Sequence, residues 1–300
     1  MDENGNMPKV EISGAPMQPQ STSNKSPLDA YYRQPKIYVK LPSNGEYYPN
    51  GSLDRSEDGT YAVYSMTAKD ELMFKTPDAL LSGQSTVEVI QSCIPSIKDA
   101  WKVPSIDLDA ILIAIRIATY GDKMDVDADC PKCKEDLRYD LNLTEFLEKL
   151  GRFQFPSSFN VGELVFHVSP YTYKEVTRKN LNRIEQEKIY SIINDDKMSD
   201  EEKIERFGAS FVKLTELTID TIIDTVNQID TPQGSETDRA KIKDFISNAP
   251  KEIFDQVNAH LQSMREKLDL KMEGAVCSKC QHKFDIAVTM DQANFFKARS

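Results

Sequence analysis

Cys130-Pro131-Lys132-Cys133 and Cys277-Ser278-Lys279-Cys280 are the stretches on which the reading of this 300-residue chain turns. Two residues between cysteines let the backbone double back so that both sulfurs face one point, and each pair supplies half of a tetrahedral ligand set. The flanks repeat as well. Lys123-Met124-Asp125 precedes the first pair and Lys271-Met272-Glu273 the second, while Leu137-Arg138-Tyr139-Asp140-Leu141 and Phe284-Asp285-Ile286-Ala287-Val288 follow as short alternating strands. Two such hairpins face to face make a zinc ribbon, with Cys130, Cys133, Cys277 and Cys280 as the metal ligands and Zn2+ as the structural cofactor. Cys277 lies 144 positions after Cys133, far beyond the ~15–20 residues of a compact ribbon. The ribbon is therefore split, and its metal closes a long loop, whose entropic cost grows only logarithmically with length.

Other readings of the cysteines fit less well. A thioredoxin-like redox pair wants a βαβ setting with the motif opening a helix, whereas strands follow both pairs here. Two disulfides need an oxidising compartment, which nothing else in the sequence supports. His282 is near enough to compete as a ligand, but four cysteines already satisfy the ion. Cys93, in an apolar helical segment, reads as a small buried hydrophobe.

With 39% hydrophobic residues the chain can bury a substantial core. Its formal charge of −11, from 48 acidic and 37 basic residues, repels phosphate backbones, so nucleic acid is a poor default partner. The N-terminus has no basic segment leading into an apolar core, and the most apolar run, Ile106 to Ala118, is broken by Asp107, Asp109 and Arg116. A soluble chain with no signal peptide and no membrane span is expected, made and folded in a reducing cytoplasm.

Residues 1–35, rich in Asn, Gly, Pro, Gln and Ser, read as a disordered arm. Residues 36–122 hold strands at Ile37–Leu41 and Tyr61–Met66, with Pro42-Ser43-Asn44-Gly45 as a tight turn. Helices follow. Thr67 is placed to cap the first, with Asp70 and Glu71 in its first turn, and Thr76-Pro77 repeats the start signal. Val87, Ile90 and Ile94 recur at helical spacing before Pro95. Ser105 to Ile117 is apolar on nearly every side and belongs at the centre of a core.

Residues 123–170 form the first knuckle half with a following strand at Val161–Val168, and residues 271–300 the second half with a tail. Between them, residues 171–270 read as helical. Ile204, Phe207, Phe211, Leu214 and Leu217 make one stripe, continued by Ile222, Val226 and Ile229; Val257, Leu261, Met264 and Leu268 make another, with Thr231-Pro232-Gln233-Gly234 as the turn between them. Asp195 to Glu205 reads as a solvated helix start. The expected fold class is α+β, predominantly α-helical, with short N-terminal strands and a split four-cysteine zinc ribbon that has a helical region inserted between its halves.

The usual phosphate-loop, zinc-protease, nucleophile-elbow and dinucleotide-turn motifs are missing. His167 and His260 have no evident nucleophile or carboxylate pair around them, and Asp107 and Asp109 suit the positive end of a helix dipole. The expectation is a protein that is not an enzyme.

Three further stretches carry a resemblance: Met73 to Gly83, Ile90-Gln91-Ser92-Cys93-Ile94, and Ile106 to Gly121 with its Asp-Leu-Asp-Ala opening. Together with Leu41-Pro42-Ser43-Asn44-Gly45, Tyr64-Ser65-Met66-Thr67 and the order of the cysteine pairs, the chain resembles baseplate proteins of T-even-type contractile-tailed bacteriophages, over roughly residues 36 to 290. Within that family it is most similar to hub-assembly or hub-associated members. The resemblance implies a non-enzymatic part in building the baseplate hub, as assembly chaperone or structural subunit, with hub or wedge proteins as partners. The implied locations are the host cytoplasm during assembly and the virion tail baseplate. The alternative from the residues alone is a zinc-ribbon nucleic-acid-binding module of transcription or replication type, motivated by Lys132, Lys279, Lys283 and Arg138 and countered by Asp127, Asp129, Glu135 and Asp136. A metal-dependent enzyme would need an open coordination position.

Overall fold

The structure is a computed structural model that describes residues 26–28, 31–74, 82–178, 199, 202, 208, 219–220, 222–267, 270–288 and 295–296. The chain divides into Met1–Arg33 and Gln34–Ser300, and the elements named below belong to the second unit. The expected disordered arm, the Thr76-Pro77 start, the Asp195–Glu205 stretch and the stripe from Ile204 to Leu217 lie wholly or mostly outside the described residues.

β1 (Pro35–Lys40) pairs antiparallel with β2 (Thr60–Tyr64). Asn44 (φ 52°) and Gly45 (φ 79°) take the left-handed conformation that the turn after β1 requires. At Gly45 a side chain would also meet the Tyr61 hydroxyl 3.1 Å away. α1 (Ala68–Met73) opens with a capping box: the Thr67 hydroxyl accepts from the Asp70 N–H while the Asp70 carboxylate accepts from the Thr67 N–H. α2 (Gln84–Cys93) stops before Pro95 with Cys93 fully buried, and a 3-10 turn at Ala100–Lys102 leads into α3 (Ser105–Tyr120).

The largely apolar character of α3 has the expected consequence. Ile111, Ile113, Ala114 and Ile115 are wholly buried, with β1, β2 and α2 packed around the helix. The hairpin of β3 (Lys123–Asp129) and β4 (Asp136–Asn142) follows, then α4 (Leu143–Gly151), capped by the Asn142 side chain.

A four-stranded antiparallel sheet comes next, in the order β5 (Ser158–Val161), β6 (Leu164–Val168), β7 (Val226–Thr231), β8 (Gly234–Glu236). The single strand expected at Val161–Val168 is a hairpin that turns at Gly162, where φ is 60°. α5 (Arg239–Asn248) and α6 (Lys251–Glu266) follow, and Val257, Leu261 and Met264 form the buried stripe of α6 as expected. Asp224, its side chain nearly buried, pairs with both Arg178 and Arg239 and links the start of the helix at 173–178 to α5. The chain returns through β9 (Lys271–Val276) and β10 (Lys283–Ala287), and Phe295 and Phe296 pack back onto the first core, with Phe296 stacked on Phe74.

Two clusters of buried side chains result. The first runs from Val39 to Phe296 around α3 and takes in Leu141, Leu270 and Val288 beside the two outer hairpins. The second is confined to residues between Val161 and Met264 and fills the space between the four-stranded sheet, the helical residues 222–225 and helices α5 and α6.

The predominantly helical expectation is overturned: among the described residues about 40% are helix and 27% strand, with four small antiparallel sheets. The error is local and physical. Ile222, Val226 and Ile229 have helical spacing, but Val226 and Ile229 lie in β7, where Ile229 faces Phe166 across the ladder. Thr231-Pro232-Gln233-Gly234 is the hairpin turn into β8 rather than a link between helices. Its β-branched and turn-forming residues favour the pleated partner that β6 provides. Among the described residues, no helix is long and apolar enough to cross a membrane.

Candidate metal centre

Each cysteine pair sits on the turn of an outer hairpin, and the two turns are built alike. The Cys130 N–H donates to the Glu135 carbonyl and the Lys134 N–H to the Cys130 carbonyl, both at 2.9 Å; Cys277, His282 and Gln281 repeat the two bonds at the same lengths. The residue after the second cysteine is left-handed in both, at φ 57° for Lys134 and 58° for Gln281. That conformation costs a non-glycine residue on the order of 1 kcal/mol, which the surrounding bonds offset.

The four sulfurs converge within 4.8 Å of one another, although Cys133 and Cys277 are 144 positions apart in the chain. Cys130 Sγ lies 3.7 Å from Cys280 Sγ, and Cys133 Sγ lies 3.6 Å from Cys277 Sγ. A disulfide would need about 2.05 Å, so all four are free thiols. Cys130 and Cys277 are fully buried; Cys133 and Cys280 are half-buried.

The halves are joined by more than sulfur. Tyr139 meets Phe284 edge to face with centroids 6.1 Å apart, and the Tyr139 hydroxyl donates to the Val276 carbonyl at 3.3 Å. Lys279 pairs with Glu135 across the junction, and Lys149 with Glu273 at 2.9 Å. The Glu135 carboxylate holds the Lys279 ammonium above its ordinary pKa.

Four thiols this close cannot all ionise unaided. Burial opposes ionisation of Cys130, but the amides of Cys133 and Lys132 outweigh it and draw the thiol down to about 7. Cys133, despite the amide of Glu135, is pushed up to about 12 by burial and by the neighbouring thiols of Cys280, Cys277 and Cys130. Repulsion among thiolates is what a cation at the centre relieves, so the cluster could hold a metal ion.

The structure thus brings together Cys130, Cys133, Cys277 and Cys280. His282 contributes its backbone carbonyl to the second knuckle, while its ring stacks on Phe284. Two polar arrangements were not foreseen. Asp107, read as a dipole partner, is fully buried and accepts from the Ser43 N–H at 2.7 Å and from the Ser43 hydroxyl, fixing the β1–β2 connection to α3. Burial raises its carboxyl to about 6. His167 Nε2 lies 2.6 Å from Asp230 Oδ2 across the four-stranded sheet, and the Gln228 amide donates to the other oxygen. The register His167↔Gln228 and Val165↔Asp230, on which that pairing depends, becomes readable only once β7 is recognised as a strand.

Neither the curated proteins nor the solved structures include a match to this chain. Residues 34–297, which hold both cysteine pairs and both cores, match the family described as T4 bacteriophage base plate protein, and the chain belongs to that family.

Proposed function

We propose that this protein of the phage baseplate acts in building the baseplate hub, as an assembly chaperone or a hub-associated subunit, and that its four cysteines hold a structural zinc ion. Family membership supports a structural place in the tail baseplate. The observation that carries the finer reading is the convergence of four sulfurs from two hairpins 144 positions apart in the chain.

Zinc fits the donor set. Zn–S bonds of about 2.3 Å put tetrahedral sulfurs about 3.8 Å apart, close to the 3.7 and 3.6 Å found between the knuckles. Bound zinc would supply charge neutralisation and a cross-link, and four thiolates would leave it no open position for water. That favours a scaffold over a catalyst. Roughly 10 kcal/mol of metal binding is ample to close so long a loop. The nucleic-acid reading loses support from the geometry, because Lys279 is paired with Glu135 and Arg138 with Asp127. Hub or wedge proteins are the partners of this reading, met in the host cytoplasm during assembly.

Elemental analysis of the purified protein should give one zinc per chain, and pulldown from infected cells should recover hub subunits. A metal-free protein that folds normally would sink the zinc assignment, and the absence of hub subunits would sink the assembly role. Mass spectrometry of purified virions separates a retained subunit from an assembly factor.

A further inference from the structure

The outward face of the β1–β2 sheet differs from the rest of this acidic protein. Lys36, Tyr38 and Lys40 alternate along it, exposed, while Ile37 and the buried Val39 point inward against the first core. On β2 the same face continues with Thr60, Ala62 and the half-buried Tyr64, so neither strand places a carboxylate there. Asp58, just before β2, is already held by the Ser56 hydroxyl and by the N–H and hydroxyl of Thr60.

Tyr38 is 66% exposed, the most of any large apolar side chain described in Gln34–Ser300. Five lysines elsewhere are matched with carboxylates: Lys98 with Asp54, Lys149 with Glu273, Lys241 with Glu236, Lys243 with Asp220 and Lys279 with Glu135. Among the described residues Lys36 and Lys40 have no such partner. β1 pairs with β2 on one side, and no described strand pairs with its other edge. Edge lysines alone would serve to discourage strand addition. An exposed tyrosine set between them does the opposite, offering apolar area where a guarded edge would offer none.

We propose that β1 is a docking edge for an extended acidic segment of a partner protein, carrying carboxylates at two positions four residues apart and an apolar side chain midway. A bulge between Pro35 and Ile37 brings Lys36 and Lys40 somewhat closer than the ~13 Å that four extended residues span, still within reach of carboxylates at that spacing on flexible side chains, while the central side chain covers Tyr38. Charge selects this occupant. A net −11 repels a long polyanion such as a nucleic acid, whereas a short strand brings only two carboxylates, both within a Debye length of a lysine.

The test uses the full chain and a fluorescent peptide containing Glu-Thr-Leu-Thr-Glu, with a reordered peptide of the same composition and an oligothymidylate as comparisons. Anisotropy should show salt-sensitive binding of the patterned peptide. About tenfold weaker binding is expected for K36Q/K40Q, from two exposed ion pairs of somewhat under 1 kcal/mol each, and a several-fold loss for Tyr38→Ser. All three side chains face outward, so unchanged circular dichroism and melting will certify the variants. The proposal is overturned if the patterned peptide does not bind, if the reordered peptide or the variants bind as the parent pair does, or if the oligonucleotide binds more tightly through the same residues.

Discussion

The two cores of this protein solve the same problem by opposite routes. The second is assembled within one stretch of chain: two hairpins give it a sheet, and α5 and α6 fold over that sheet directly afterwards. The first gathers residues from Val39 to Phe296, so its last contributors arrive after the whole second core has intervened. Contacts so distant in sequence carry a larger loop-closure cost. The cysteine cluster sits where that cost falls, on hairpins that bury Leu141 and bring Leu270 and Val288 against the first core. One core closes within residues 161–264, whereas the other draws on two segments of chain that meet beside the four cysteines.

The sharpest way to break this comparison is to remove one sulfur. Cys277→Ser should abolish metal retention and cost several kcal/mol, since three thiolates do not replace four. Hydrogen exchange should show amides of β3, β4, β9 and β10 losing protection while those pairing β6 with β7 persist. Uniform loss across both regions, or none, would show that the cysteine cluster does not serve the first core selectively. Phe166→Ala, at a wholly buried position of the second core, should cost about 3–5 kcal/mol while leaving metal content at the parental level. A parallel drop in bound metal would mean that the cores are not separable in this way.

The smallest effect belongs to Asp107. Its carboxyl binds a proton more tightly when folded, at about 6, than when unfolded, near 4. The associated stability is full below pH 4 and is lost as pH rises through 6, on the order of 2–3 kcal/mol. Asp107→Asn should flatten that slope, read as the difference between variant and parent in denaturant midpoints from pH 4 to 7. Acid also protonates the thiolates, but that contribution is common to both proteins and cancels. Parallel curves would assign the slope to other groups.

Much of the first core was open to direct reading. The Thr67 cap, the stop before Pro95 and the largely apolar α3 are local signals that tertiary structure had no reason to override. The cysteine cluster was legible too, because C-x-x-C fixes its own turn and both flanks repeat. β7 was not: Val226 and Ile229 satisfy a helical and a pleated pattern alike, and only β6, far off in sequence, decides between them. Asp107 was underread for a related reason, since its partner Ser43 is 64 positions away.

The direction of synthesis gives the split ribbon a further meaning. In a growing chain Cys130 and Cys133 are made long before Cys277, with the residues of the second core in between. The four-cysteine set is complete only after every residue of the second core, Val161 to Met264, has been made. Fragments ending before Cys277 carry half of the cysteine set and a first core that lacks Val288, Phe295 and Phe296.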